Sequence, residues 1–97
     1  MLISEQLASV IELLELAQIT PARHVADLQK IIRSTSVEER ESNPMVWTAL
    51  EGLAYDLEYY EPDLQKRAED ASFYGEDRAI AEISDAISEI TKNGLKS

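Results

Sequence analysis

The chain has 97 residues, 44% of them hydrophobic, with no cysteine and a formal net charge of −10 from nineteen Asp and Glu against nine Lys and Arg. A chain of this length builds a single core, hence one domain over residues 1–97, and leaves little interior for a buried catalytic cleft. The charge repels nucleic-acid phosphates and anionic lipid and suits a basic protein partner, although solubility alone accounts for it as well.

Without cysteine there are neither disulfides nor thiolate metal sites, and a reducing compartment is the natural setting. The N-terminus lacks the basic region of a signal peptide. The longest apolar stretch, Val10 to Ile19, is interrupted by Glu12 and Glu15. A cytoplasmic protein that spans no membrane is therefore expected.

In chain order, Ile3, Leu7, Val10, Ile11 and Leu14 recur at helical spacing behind Ser4, a good N-cap, and predict a first helix over about residues 3–18. Thr20-Pro21 pairs a favoured cap with a residue preorganised for the first helical position, so a second helix carries Val25, Leu28 and Ile32 on one face. The short link makes the two antiparallel. Residues 34–43 turn polar and read as a loop, although Ser36-Val37-Glu38-Glu39 has the form of a capping box able to nucleate a single turn. Asn43-Pro44 starts a third helix bearing Val46, Leu50, Leu53, Leu57 and Tyr60, which Glu61-Pro62 ends because proline disfavours helical geometry before it. Residues 62–74 are polar and admit one short extra helix. A last helix from Glu76 to Thr91 buries Ile80, Ile83, Ile87 and Ile90, and Asn93-Gly94 stops it in a left-handed turn. The expected fold is all-α, an antiparallel four-helix bundle.

Catalytic chemistry finds little support. The lone histidine, His24, sits mid-helix with no cysteine to activate, and it reads more simply as a helix-surface residue. Glu-x-x-His pairs, a calcium loop and a phosphate-binding glycine loop are all missing, so neither metal nor cofactor is expected and the chain does not read as an enzyme.

The acidity is localised: residues 1–37 hold four acids and three bases, residues 38–97 fifteen and six. Glu51, Asp56, Glu58, Glu61 and Asp63 follow one another with no Lys or Arg between. At about 100° per residue from the apolar stripe of the third helix, Trp47 falls near about 100°, Glu58 about 120°, Glu51 about 140° and Tyr55 about 180°, one outward face. Like charges there, near a helix C-terminus, are unfavourable for the isolated chain. Aromatics beside acids suit an interface, whereas a solvated face flanking the core explains the same spacing without a partner. Glu82, Asp85 and Glu89 form a second acidic stripe, read as solvated.

The segment Glu58-Tyr59-Tyr60-Glu61-Pro62-Asp63 resembles the Glu-x-aromatic-Glu-Pro-Asp segment of the bacteriocin-immunity family typified by the colicin D immunity protein. Around it, Ala17-Gln18-Ile19-Thr20 is similar to that family's first turn, Glu51 and Leu53 fall in register, and Tyr74, Asp77, Ile80, Glu82 and Ile83 are similar to its final turn and helix. The resemblance implies a bundle that plugs the active site of a cognate tRNA-cleaving toxin, with Glu58, Glu61 and Asp63 standing in for substrate phosphates and Trp47, Glu51 and Tyr55 around them. The implied partner is the basic C-terminal nuclease domain of the toxin, from either a colicin-type or a contact-dependent growth inhibition system, and a monomer is the favoured state. The sequence differs from the family in a longer segment between Asp63 and Tyr74 and in residues 34–43. A helical adaptor that uses the same face for assembly is the rival reading.

Overall fold

All but the last of the described helices begin where a short polar residue or a proline can satisfy or dispense with the first free N–H groups. The computed structural model describes residues 4–92. Among them the helices are α1 (Glu5–Ile19), α2 (Pro21–Arg33), α3 (Val37–Ser42), α4 (Pro44–Asp56), α5 (Leu64–Arg67) and α6 (Glu76–Lys92), with a 3-10 turn at Leu57–Tyr59. Ser4 caps α1, its hydroxyl accepting from the Leu7 N–H at 3.1 Å. Thr20 gives α2 no side-chain cap bond; its N–H closes α1 on the Leu16 carbonyl, and Pro21 alone makes the start.

The long helices meet in one core. α1 packs on α2 and α6, and α4 on α6 and α2. Leu7, Val10, Leu14 and Ala17 of α1 meet Val25, Leu28 and Ile32 of α2, and Val46, Leu50 and Leu53 of α4 complete the interior. Polar ties cross the same seams, Gln18 Nε2 to Ser84 Oγ at 2.7 Å and Gln29 Nε2 to the Ala54 carbonyl at 3.0 Å. On α6 the buried residues are Ala79, Ile83, Ala86 and Ile90, so the inward face is turned toward the alanines, and Ile80 and Ile87 are only half-buried. The expected stop at Asn93-Gly94 lies outside the described residues. No helix among the described residues is long and apolar enough to cross a membrane.

Two expectations are corrected. Residues 34–43 are not a loop, because Ser36 Oγ accepts from the Glu39 N–H at 3.2 Å and α3 follows for six residues. α3 buries no residue of its own, and polar contacts hold it. Glu39 Oε2 accepts from Ser4 Oγ at 2.7 Å and from Trp47 Nε1 at 3.2 Å, while Arg40 Nη2 reaches the Ile32 carbonyl at 3.5 Å.

The second correction concerns the end of α4, which stops at Asp56 rather than at Glu61. After the 3-10 turn the chain extends at Tyr60 and pairs with Tyr74: the Tyr74 N–H donates to the Tyr59 carbonyl and the Glu61 N–H to the Tyr74 carbonyl, both at 2.9 Å. This pairing across the chain, and not Pro62 alone, sets the exit. Asp63 Oδ1 then caps α5 through the Gln65 N–H at 2.9 Å.

Candidate protein-binding surface

The exit of α4 carries most of the residues singled out from sequence. Tyr55, in the last turn of α4, is 60% exposed and meets Tyr59 edge to face, with ring centroids 6.1 Å apart. Leu64, at the start of α5, is 74% exposed. Glu61 is half-buried and its Oε2 accepts from the Asp63 N–H at 3.2 Å, while Asp63 is exposed. Neither Glu61 nor Asp63 is paired with a Lys or Arg among the described residues. Within the stretch 55–64, then, Tyr55, Tyr59, Asp63 and Leu64 are exposed and Glu61 is half-buried.

Glu58 and Glu51 each face an arginine of the chain itself. Glu58 forms an ion pair with Arg33, the last residue of α2, with both side chains about half exposed. Arg40 Nε of α3 lies 2.9 Å from Glu51 Oε1, a contact of charge without the alignment of a hydrogen bond. Trp47 is the clearest departure from the expected outward face, for it is 1% exposed and belongs to the core. Its burial and the existence of α3 are one fact, since α3 lies against α4 where helical geometry alone would have left solvent.

Sequence reasoning missed Arg33, Arg40, Tyr59 and Leu64. Arg33 ends a helix that packs on α4, but an antiparallel pairing with the predicted third helix would have set it opposite that helix's start, away from Glu58, so the ion pair was not foreseen. Arg40 was placed in a loop and so had no predicted neighbour. The Arg33–Glu58 pair borders a groove of about 420 Å³ whose lining includes Val25, Gln29, Leu57, Tyr60 and Pro62.

The tyrosines register their surroundings. Contact with the Tyr55 hydroxyl, then burial and the nearby Glu58 and Asp70, raise the Tyr59 phenol above its ordinary range. Burial raises Tyr60. Burial, with Glu82 and Asp56 adding and Arg78 opposing, pushes Tyr74 up to about 12. Its hydroxyl donates to the Asp56 carbonyl at 2.5 Å and the Arg78 guanidinium stacks 5.0 Å from its ring centre, so Tyr74 anchors the α4 exit to α6.

The chain matches no family model, no curated protein and no solved structure. Among the described residues, no group of three or more His, Cys, Asp or Glu is placed to hold a metal ion. What the α4 exit offers is recognition: carboxylates to accept charge-assisted hydrogen bonds, and rings with an aliphatic neighbour to give anchoring area.

Proposed function

We propose that the protein inhibits by contact, as an immunity-type antiparallel four-helix bundle whose α4 exit enters the basic cleft of a nuclease toxin where tRNA phosphates otherwise lie. The observation that carries this reading is the pair Glu61 and Asp63, half-buried and exposed respectively and without a Lys or Arg partner among the described residues, in the same stretch as exposed Tyr55, Tyr59 and Leu64. A cleft that grips tRNA is lined by Lys and Arg, and carboxylates held ready by the fold pair with them while the tyrosines exclude water. Glu58 joins this set only by exchanging Arg33 for a cation of the partner. That exchange is cheap, because an exposed ion pair contributes roughly 0–1 kcal/mol. Glu51 acts from the rim, tied to Arg40, and Trp47 supports the surface from inside rather than touching the toxin. On this reading the protein works in the cytoplasm, the site of the tRNA it protects, whether the toxin arrives as a colicin or by contact-dependent delivery.

The test is a calorimetric titration of the full chain against the nuclease domain of a candidate cognate toxin. The double variant Glu61→Lys/Asp63→Asn keeps a residue able to cap α5, so the fold is retained. Binding weakens by about 2–5 kcal/mol, the range for breaking hydrogen-bonded charge pairs in an interface, with the melting temperature nearly unchanged. Affinity equal to that of the unaltered chain removes the two carboxylates from the mechanism.

A further inference from the structure

Between α2 and α4 the chain carries a helix that buries nothing. α3 has one apolar side chain, Val37, and it is 66% exposed. Both ends of the segment are fixed. Before it, Thr35 is buried, its hydroxyl donating to the Ile31 carbonyl at 3.1 Å and accepting from Gln6 Nε2 at 3.0 Å. After it, Pro44 begins α4. A segment bounded in this way and short of apolar contacts opens at a lower free energy than the core beside it.

α3 lies over one side of α4. Trp47, Glu51 and Tyr55 are four residues apart, so they stand one above another on that helix. Glu39 holds the indole N–H of the first and Arg40 lies against the carboxylate of the second. The third is 60% exposed and belongs to the α4 exit. The hold of Arg40 is loose, because its Nε lies 2.9 Å from Glu51 Oε1 without an aligned hydrogen bond although it is shielded from solvent. Both side chains are partly exposed, and an ion pair of that kind yields readily to a competing cation.

We propose that α3 is a strap that opens as a unit between Thr35 and Pro44, and that opening adds Glu51 and the indole edge of Trp47 to the recognition stripe that ends at Tyr55. In the closed form Arg40 occupies Glu51 in place of a cation of the partner, and Glu39 keeps the indole N–H satisfied inside the molecule. A partner guanidinium that pairs with Glu51 binds the open form better than the closed one and so draws α3 away. The inference rests on the proposed function for the identity of the partner, and not for the opening.

The opening is tested on the free full chain by native-state hydrogen exchange, following the single indole N–H together with the amides of residues 37–42. The expected result is one shared protection, lower than that of Leu50 and Leu53. Ser36→Ala, which removes the cap of α3, accelerates indole and α3 amides together by about two- to thirtyfold and leaves Leu50 and Leu53 unmoved. Indole exchange that follows Leu50 and Leu53 instead overturns the strap. The exposure of Glu51 is tested with a hexa-arginine peptide at constant ionic strength. The peptide accelerates the shared exchange at least about threefold in the unaltered chain, by shifting the population toward the open form. In Glu51→Gln it produces no acceleration over that variant's own rate. Acceleration that persists in Glu51→Gln, or none in the unaltered chain, overturns the role of Glu51. No toxin takes part, so failure here and failure of the function proposed for the α4 exit are separate results.

Discussion

A single carboxylate oxygen, Oε2 of Glu39, accepts from Ser4 Oγ and from Trp47 Nε1 and so links the start of α1, α3 and the interior of α4. Removing it by Glu39→Ala leaves the indole N–H of a buried tryptophan unsatisfied, at a cost of about 1–3 kcal/mol. Chemical denaturation with tryptophan fluorescence as the signal measures that loss; a midpoint equal to that of the unaltered chain refutes the role. Gly52 gives the opposite sign. Gly52→Ala adds a Cβ in open space and relieves the glycine penalty, so it stabilises the free protein by about 0.5–1 kcal/mol. Tyr74 sets a pH dependence. Its ordinary value is 10.0 and the folded value about 12, so above the former the unfolded chain gives up its proton first. The native state then binds more protons, and stability falls as pH rises through that window, being fully present below it. Denaturation midpoints followed across the window decline in the unaltered protein and decline less in Tyr74→Phe.

At the scale of elements, the sequence marks starts better than ends. Ser4 before α1 and the prolines at Pro21 and Pro44 were legible because capping and proline geometry are local. The inward faces of α1, α2 and α4 followed from apolar spacing. α3 was not legible as a helix by that rule, since it buries nothing and is held by Glu39 and Arg40 contacts to residues distant in sequence. That omission displaced Trp47 onto an imagined outer face and left Glu51 without its cation. The end of α4 was misjudged for a related reason, because the Tyr60–Tyr74 pairing joins residues fourteen positions apart by a contact no local signal announces. Of the candidate residues, Tyr55 and Asp63 are exposed and Glu61 is half-buried beyond the 3-10 turn, while the masking of Glu58 by Arg33 required the packing of α2 against α4. Ser36→Ala removes the cap of α3 and costs about 0.5–2 kcal/mol, and it raises amide exchange in residues 37–42 ahead of the rest of the molecule. Exchange that rises uniformly instead would show that α3 does not open as a separate unit.

For the whole molecule, the excess of fifteen acids over six bases after residue 37 sets the approach of any partner more than its final fit. On the proposed function, association with a basic nuclease domain should be fast at low salt and slow as ionic strength rises, with dissociation governed by the contacts of Glu61, Asp63 and the tyrosines. The measurement that bears most directly on the proposed inhibition is tRNA cleavage by the nuclease domain of a candidate cognate toxin, followed as purified protein is added. Inhibition by occlusion predicts that cleavage stops near one equivalent and returns when Glu61→Lys/Asp63→Asn replaces the unaltered chain. Cleavage that continues in the presence of excess protein, or that stops equally well with the double variant, contradicts it.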